Sequence, residues 1–360
     1  MKNRYCIIMA GGIGSRFWPM SRTAHPKQFI DMLGTGKTLL QQTYDRFLKI
    51  CPPENIYVVT NDSYRELVYK QLPAIDKEHV LAEPIRRNTA PCIAYATYKL
   101  YQKNPKANII VAPSDHLITK EDAFVEAVNT ALNFTENHDC LISLGIQPSR
   151  PDTGYGYIQF IENKDVNDRI CKVKTFTEKP DLELAKFFLK SGEFLWNAGI
   201  FIWNINSIKK AFKQHLPEID TIFSEGDSVY FTDKETDFIK DAYAQSTNIS
   251  IDYGVMEKAN NVYVLAADIG WTDLGTWGSQ YEHSSKDNNG NAIVGNNVLT
   301  YDSHDNIVHV PNSKLVVMQG LTDYIVVESD NILLICKKTD EQQIRQFVSD
   351  VKKNKGDKFI

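Results

Sequence analysis

The stretch Ile7-Ile8-Met9-Ala10-Gly11-Gly12-Ile13-Gly14-Ser15-Arg16 constrains this chain more than any other. Tyr5 to Met9 is a short apolar run, the pattern of a parallel strand buried on both faces. Three glycines in the next few positions leave backbone N–H groups uncovered, so a phosphate can approach closely. Arg16 and Lys27 add fixed positive charge beside that nest. The first 30 residues hold five basic side chains and no acid, although the whole chain carries a net charge of −5. A cationic patch on an acidic protein predicts a small anionic ligand and argues against a nucleic-acid partner.

Two familiar phosphate loops fail on spacing. The dinucleotide fingerprint G-x-G-x-x-G needs glycine where Phe17 stands. Gly34-Thr35-Gly36-Lys37-Thr38 resembles the end of a P-loop, but the first glycine of that motif would fall on Asp31. Gly34 and Gly36 therefore read as a turn before a helix over Leu39–Ile50. Short apolar strands follow at 56–60, 80–83, 109–112 and 140–144, with amphipathic helices after each of the first three. That alternation predicts a doubly wound α/β domain with a mainly parallel sheet. Ligands in such sheets sit beyond the carboxyl ends of the strands, where the glycine loop, Glu83 and Asp115 all fall, so one crevice is expected there.

From 150 to 275 the pattern loosens into strands near 156, 173–177 and 195–203 and helices over 182–190, 206–215 and 235–245. The polar run Ser284-Ser285-Lys286-Asp287-Asn288-Asn289-Gly290-Asn291 marks a boundary. Residues 1–285 are thus expected to form one domain and 286–360 a small β-rich domain ending in a helix over 341–351. Its strands, at 297–301, 307–310, 315–318, 324–328 and 332–336, follow one another with no helix between. His304 and His309 read there as ordinary turn or surface residues. No apolar stretch approaches the roughly 18 residues that span a bilayer. The six cysteines form no C-x-x-C pair, and several sit in apolar runs, as suits buried, reduced thiols in a cytoplasm. An N-terminus entering directly into a strand and a catalytic-looking loop leaves a cleaved leader unexpected.

The opening loop, continued through Phe17-Trp18-Pro19-Met20-Ser21-Arg22 to Pro26-Lys27-Gln28-Phe29, resembles the signature of the sugar-1-phosphate nucleotidyltransferases, G-G-x-G-[ST]-R-x-x-P-x-[ST]…P-K. Its wording is most similar to the branch that joins GTP to mannose 1-phosphate. The resemblance runs from Ala10 to Trp277, and the C-terminal rungs resemble the shortened left-handed β-helix of relatives. It implies transfer of GMP to mannose 1-phosphate with release of pyrophosphate, with Mg²⁺ as cofactor and a homodimer or higher homo-oligomer as the assembly. Some relatives append an isomerase domain, which a chain ending at Ile360 is expected to lack. The alternatives are a different sugar phosphate or nucleotide in the same chemistry, or a non-catalytic binding subunit.

By that resemblance Arg16 and Lys27 neutralise the triphosphate, and Asp115 and Asp273 hold Mg²⁺. Ala10, Gly11, Gly12, Gly14, Ser15 and Ser114 line the nucleotide, while Glu83 and Asn88 lie near base and ribose. Asn88 is equally suited to cap the helix entered at Thr89. In Glu178-Lys179-Pro180, Glu178 would bind sugar hydroxyls and Lys179 the sugar phosphate. Gly156 would let backbone approach the sugar, Asn197 would offer a donor and an acceptor to it, and Asp252 would be a further polar contact near sugar phosphate or metal.

Overall fold

The computed structural model describes residues 2–12, 14–161 and 169–360, so Ile13 of the opening loop lies outside the described residues. Contacts divide the chain into two compact units, Met1–Gly11 with Thr43–Ser114 and Ile118–Trp271, and Gly12–Gln42 with Asp115–Leu117 and Thr272–Ile360.

The first unit is built on nine strands: β1 (Arg4–Ala10), β2 (Ile56–Asn61), β3 (Val80–Glu83), β4 (Asn108–Pro113), β5 (Leu141–Ile146), β6 (Gly156–Ile161), β7 (Ile170–Glu178), β8 (Phe194–Asn204) and β9 (Val262–Ala266). They lie in the order β3-β2-β1-β4-β8-β5-β9-β7-β6. The first four are parallel, with Cys6 opposite Ile56 and Ile110. Helices Arg65–Gln71, Thr89–Lys103 and Glu121–Thr135 make the crossovers between β2, β3, β4 and β5. Cys6, Ile7 and Ile8 are fully buried, which is why the strand is apolar at consecutive positions.

The doubly wound α/β plan is therefore present, and its second half is mixed. β8 enters between β4 and β5 and runs antiparallel to both. β5 and β9 are parallel again, while β7 pairs antiparallel with β9 and β6. The β5–β8 register slips between Ser143 and Gly145, a bulge beside Asn197. Helix Thr89–Lys103 is buried at every position from Ala90 to Leu100. Tyr98 packs its ring against Phe212 and Phe223 of helices Ile205–His215 and Pro217–Ser224. The latter helix is an addition to the sequence reading, and Pro217 suits its first turn because no N–H bond is needed there.

In the second unit six short strands follow the boundary: β10 (Ala292–Val294), β11 (Val298–Tyr301), β12 (Ile307–His309), β13 (Val316–Gln319), β14 (Tyr324–Ser329) and β15 (Ile332–Lys337). β10, β12 and β14 stack in parallel with Ala292, Ile307 and Ile325 in register, and β11 stacks on β13. Parallel rungs joined by short turns are the β-helix arrangement. Asn291 and Asn306 are buried between rungs, where Asn306 Nδ2 donates to Asn291 Oδ1 (2.9 Å) and Asn291 Nδ2 to the Ser303 carbonyl (2.9 Å). The amides thus satisfy turn backbone that would otherwise be buried unpaired.

The linear boundary at 285/286 is not where the contacts divide. Phe17, Trp18, Ile30 and Met32 share a core with Leu274, Trp277, Ile325 and Ile344, so the opening loop packs with the β-rich part. Within the Gly34–Thr38 turn, Asp31 accepts from the backbone N–H groups of Thr35 (2.9 Å) and Gly36 (2.6 Å), and helix Leu39–Leu48 follows. All six cysteines are free; Cys171 and Cys336 are partly exposed and the rest are buried. No helix among the described residues is long and apolar enough to cross a membrane.

Candidate functional site

In the second unit the loop after Gly12 closes a short helical turn, Ser15–Phe17, in which the Phe17 N–H donates to the Gly14 carbonyl (3.1 Å). Gly14 takes φ +68°, and a Cβ on it would lie 2.5 Å from the Lys27 Cβ. Only glycine gives both the left-handed conformation and that close approach. Arg16 then donates through Nη1 to the Gly275 carbonyl (3.2 Å). Lys27 is buried, 3.0 Å from Asp115 Oδ2, and donates to the Asp273 carbonyl (2.6 Å). Asp273 Oδ1 accepts from the Gly275 N–H (2.8 Å), and Leu274 between them sits at φ +44°. A left-handed leucine is backbone strain of the kind that persists where geometry matters.

These groups surround one cavity of about 260 Å³, lined by Arg16, Lys27, Asp115, Asp273 and Arg345. Burial pushes the Asp115 carboxyl up, but the nearby Lys27 and His116 charges and the Lys27 hydrogen bond more than offset it, holding Asp115 below its ordinary range. Asp115 and Asp273 both line this cavity, and although the described residues hold no group of three or more metal-ligating side chains, two carboxylates are the donor type a hard divalent cation takes when water and phosphate are its other ligands. Gly12 and Ser15 are exposed at the start of this segment, and nothing lies within 4 Å of a Cβ built on Gly12.

In the first unit Glu83 is buried at the end of β3 and accepts from the Tyr243 hydroxyl (3.0 Å). Burial raises its carboxyl to about 7, against the opposing effects of that hydrogen bond and of Arg86. Its Oε2 lies 3.4 Å from where a Gly11 Cβ would stand, so these two expected nucleotide contacts are neighbours. Ala10 and Ser114 are buried, with the Ala10 carbonyl accepting from Thr60 Oγ1 (2.8 Å) and the Ser114 carbonyl from Thr43 Oγ1 (3.2 Å). Asn88 sits at φ +67° and accepts from the Thr89 N–H (2.9 Å), so it starts the helix.

A second cluster in this unit gathers the expected sugar contacts. Gly156 of β6 stands opposite Glu178 of β7. A Cβ on Gly156 would collide with the Glu178 carboxylate and come 3.4 Å from the Asn197 Cβ. Asn197 Nδ2 donates to Asp252 Oδ1 (2.9 Å), while its Oδ1 accepts from Ser143 Oγ (2.9 Å) and the Gly199 N–H (3.0 Å). Burial, and then the Glu178 charge, lift Asp252 to about 6. Lys179 pairs with Glu178, stays largely exposed and has φ +49°. Tyr155 stands edge-on to Trp196 and Trp271, with ring centres 5.0 and 5.1 Å away. Sequence reasoning missed Tyr243, Ser143 and Arg345, none of which belongs to a local motif; Arg345's one signal is a cation in a helical first turn that lacks an acid.

Residues 5–290 match the Nucleotidyl transferase family model, and residues 295–351 match the MannoseP isomerase/GMP-like beta-helix domain. Over 355 residues the chain is 36% identical to the mannose-1-phosphate guanylyltransferase of Salmonella montevideo, covering 96% of this chain and 73% of that one. It is 35% identical over 348 residues to the alginate biosynthesis protein AlgA of Pseudomonas aeruginosa, covering 96% and 71%. The crystal structure of mannose-1-phosphate geranyltransferase from Thermus thermophilus is similar with a TM-score of 0.86 at 29% identity, over 97% of this chain and 99% of that one.

Proposed function

The chain belongs to the nucleotidyl transferase family, and from that premise we propose that it transfers GMP from GTP to mannose 1-phosphate, giving GDP-mannose and pyrophosphate. The observation that carries the reading is the convergence of Arg16, Lys27, Asp115 and Asp273 on one cavity. A phosphate oxygen of mannose 1-phosphate forms a bond to the α-phosphorus of GTP. The bond from that phosphorus to the bridging oxygen of the β-phosphate breaks in line, and pyrophosphate leaves with the electron pair. The nucleophile is already anionic, so no side chain need remove a proton from it. The obstacle is repulsion between two anions, and the remedies are positioning and positive charge.

Arg16 and Lys27 serve that purpose by facing the triphosphate with donors already fixed by Gly275, Asp115 and the Asp273 carbonyl. Asp115 and Asp273 would hold Mg²⁺, which supplies charge neutralisation to the phosphates when bound. Glu178 and Asn197 orient the hexose hydroxyls, Gly156 leaves them room, and Lys179 meets the sugar phosphate. Glu83 receives donors of the base or ribose, while Gly11, Gly12, Gly14 and Ser15 present backbone to the nucleotide. Asn88 shapes the loop by capping its helix.

The assay is Mg²⁺-dependent pyrophosphate release from GTP with and without mannose 1-phosphate, with ATP, UTP and dTTP in parallel. Release requiring GTP and mannose 1-phosphate together is expected. Release with another pair would keep the mechanism and overturn the substrates. The free cysteines support a reducing cytoplasm. Exposed Leu299 and Val317, side by side on β11 and β13, support a homo-oligomer formed through the β-helix, and a monomeric mass by light scattering would overturn that assembly.

A further inference from the structure

Arg345 lines the same cavity as Arg16, Lys27, Asp115 and Asp273, although it comes from the C-terminal helix Ile344–Lys355. Three contacts hold that helix to the loops of the cavity. Ile344 is fully buried in the core that contains Phe17, Leu274 and Trp277. Glu341, one helical turn upstream of Arg345, accepts from the Gly278 N–H (2.8 Å). Trp18 Nε1 donates to the Phe359 carbonyl just beyond the helix (2.7 Å). The backbone of Arg345 is thus fixed relative to the segment that carries Asp273 and Gly275.

Its side chain differs from the other two cations of the cavity. Arg16 is engaged by Gly275, and Lys27 by Asp115 and the Asp273 carbonyl. Arg345 is exposed and, among the described residues, makes neither a hydrogen bond nor an ion pair. It is the third permanently charged cation of a cavity whose carboxylates are Asp115 and Asp273. Local helix energetics run against it. The helix has no acid in its first turn, and a cation there faces the positive end of the macrodipole, whereas Lys352, Lys353 and Lys355 sit at the favourable end. A residue that breaks a local rule without a local gain is where function is expected.

We infer that Arg345 binds the terminal phosphates of the nucleoside triphosphate and the pyrophosphate formed from them, so that the C-terminal helix completes the phosphate site. The inference rests on the reaction proposed above. A guanidinium fork suits it, because two parallel N–H groups meet two phosphate oxygens.

The test compares full-length wild type, Arg345→Ala and Arg345→Lys in two assays. Calorimetric binding of inorganic pyrophosphate with Mg²⁺ should weaken about tenfold or more in the alanine variant and recover in part with lysine. In steady state, the KM for GTP and, in reverse, for pyrophosphate should rise by a similar factor, with the KM for mannose 1-phosphate within about twofold. Pyrophosphate affinity unchanged in Arg345→Ala would overturn the role of Arg345. A wild type that binds pyrophosphate but releases none from GTP and mannose 1-phosphate would overturn the reaction, and the binding assay would still decide Arg345. Equal melting temperatures for the three proteins exclude a folding effect, as expected for an exposed side chain.

Discussion

Asp115 and Asp252 are the same side chain in opposite surroundings. Asp115, in the second unit, stands 3.0 Å from the Lys27 ammonium and is held below the ordinary range in spite of its burial. Asp252, in the first unit, has a neutral amide as its hydrogen-bond partner, and burial followed by the Glu178 charge lifts it to about 6 against the smaller opposing effect of Lys179. Burial opposes ionisation in both; only at Asp115 do neighbouring cations more than offset it. One region keeps Asp115 ionised beside a cation, which suits phosphate and a divalent ion. The other sets Asp252 against the Asn197 amide, which suits hydroxyl groups that both donate and accept.

The contrast breaks most visibly if charge is removed from the first of these sites. Asp115→Asn and Asp273→Asn should each lower Mg²⁺-dependent turnover on the order of 10²–10³-fold with the far-ultraviolet circular dichroism unchanged. Near-normal rates in both would show that the carboxylates of the cavity are not used for the metal.

Asp252 tests the other side through stability. Its folded-state value of about 6 exceeds the roughly 3.9 of an unfolded aspartate, so between those values the folded chain binds the proton and the unfolded chain does not. Stability from this group is therefore fully present below about pH 4 and is lost as pH rises through 6, by at most roughly 3 kcal/mol. Asp252→Asn should remove that decline and raise stability at pH 7, with Asn197 still able to donate to the new amide oxygen. Urea unfolding at pH 4, 5, 6 and 7 measures it, and an undiminished slope in the variant would place the titration elsewhere.

Lys179→Ala should raise the KM for mannose 1-phosphate by about tenfold, the scale of one charge-assisted contact, and leave the KM for GTP nearly unaltered. An equal rise in both constants would erase the division between the phosphate cavity and the sugar cluster.

What the sequence disclosed of these two regions divides along physical lines. The glycine loop, Lys27, Asp115, Glu178 and Asp273 could be singled out because each stands in a short motif that resembles the family's, while their grouping around one cavity or one cluster comes only with the fold. β1 to β4 were legible because parallel strands buried on both faces are apolar at every position. The antiparallel sense of β8 was not, since side-chain alternation carries no direction. Nor was the left-handed turn at Lys179, because a residue before proline is ordinarily extended. Asn88 fits two roles from sequence, and the fold shows its side chain bonded to the Thr89 N–H at the start of the helix. Arg345 was hidden because only tertiary folding brings the C-terminal helix to the opening loop.

The smallest effect separates two glycines, one from each region, that both exclude a Cβ. Beside Gly14 the obstacle is the Lys27 Cβ, 2.5 Å away and tied to backbone, and φ is +68°. Neither can relax cheaply, so Gly14→Ala should cost about 1–3 kcal/mol and displace Lys27 from Asp115, lowering turnover with it. Beside Gly156 the nearest obstacle is the end of the Glu178 side chain, which can swing aside. Gly156→Ala should therefore cost less than about 1 kcal/mol in chemical denaturation, and its effect should appear in the KM for mannose 1-phosphate. A loss of stability in Gly156→Ala as large as in Gly14→Ala would mean that Glu178 is locked in place by the fold, making the sugar cluster as rigid as the phosphate cavity.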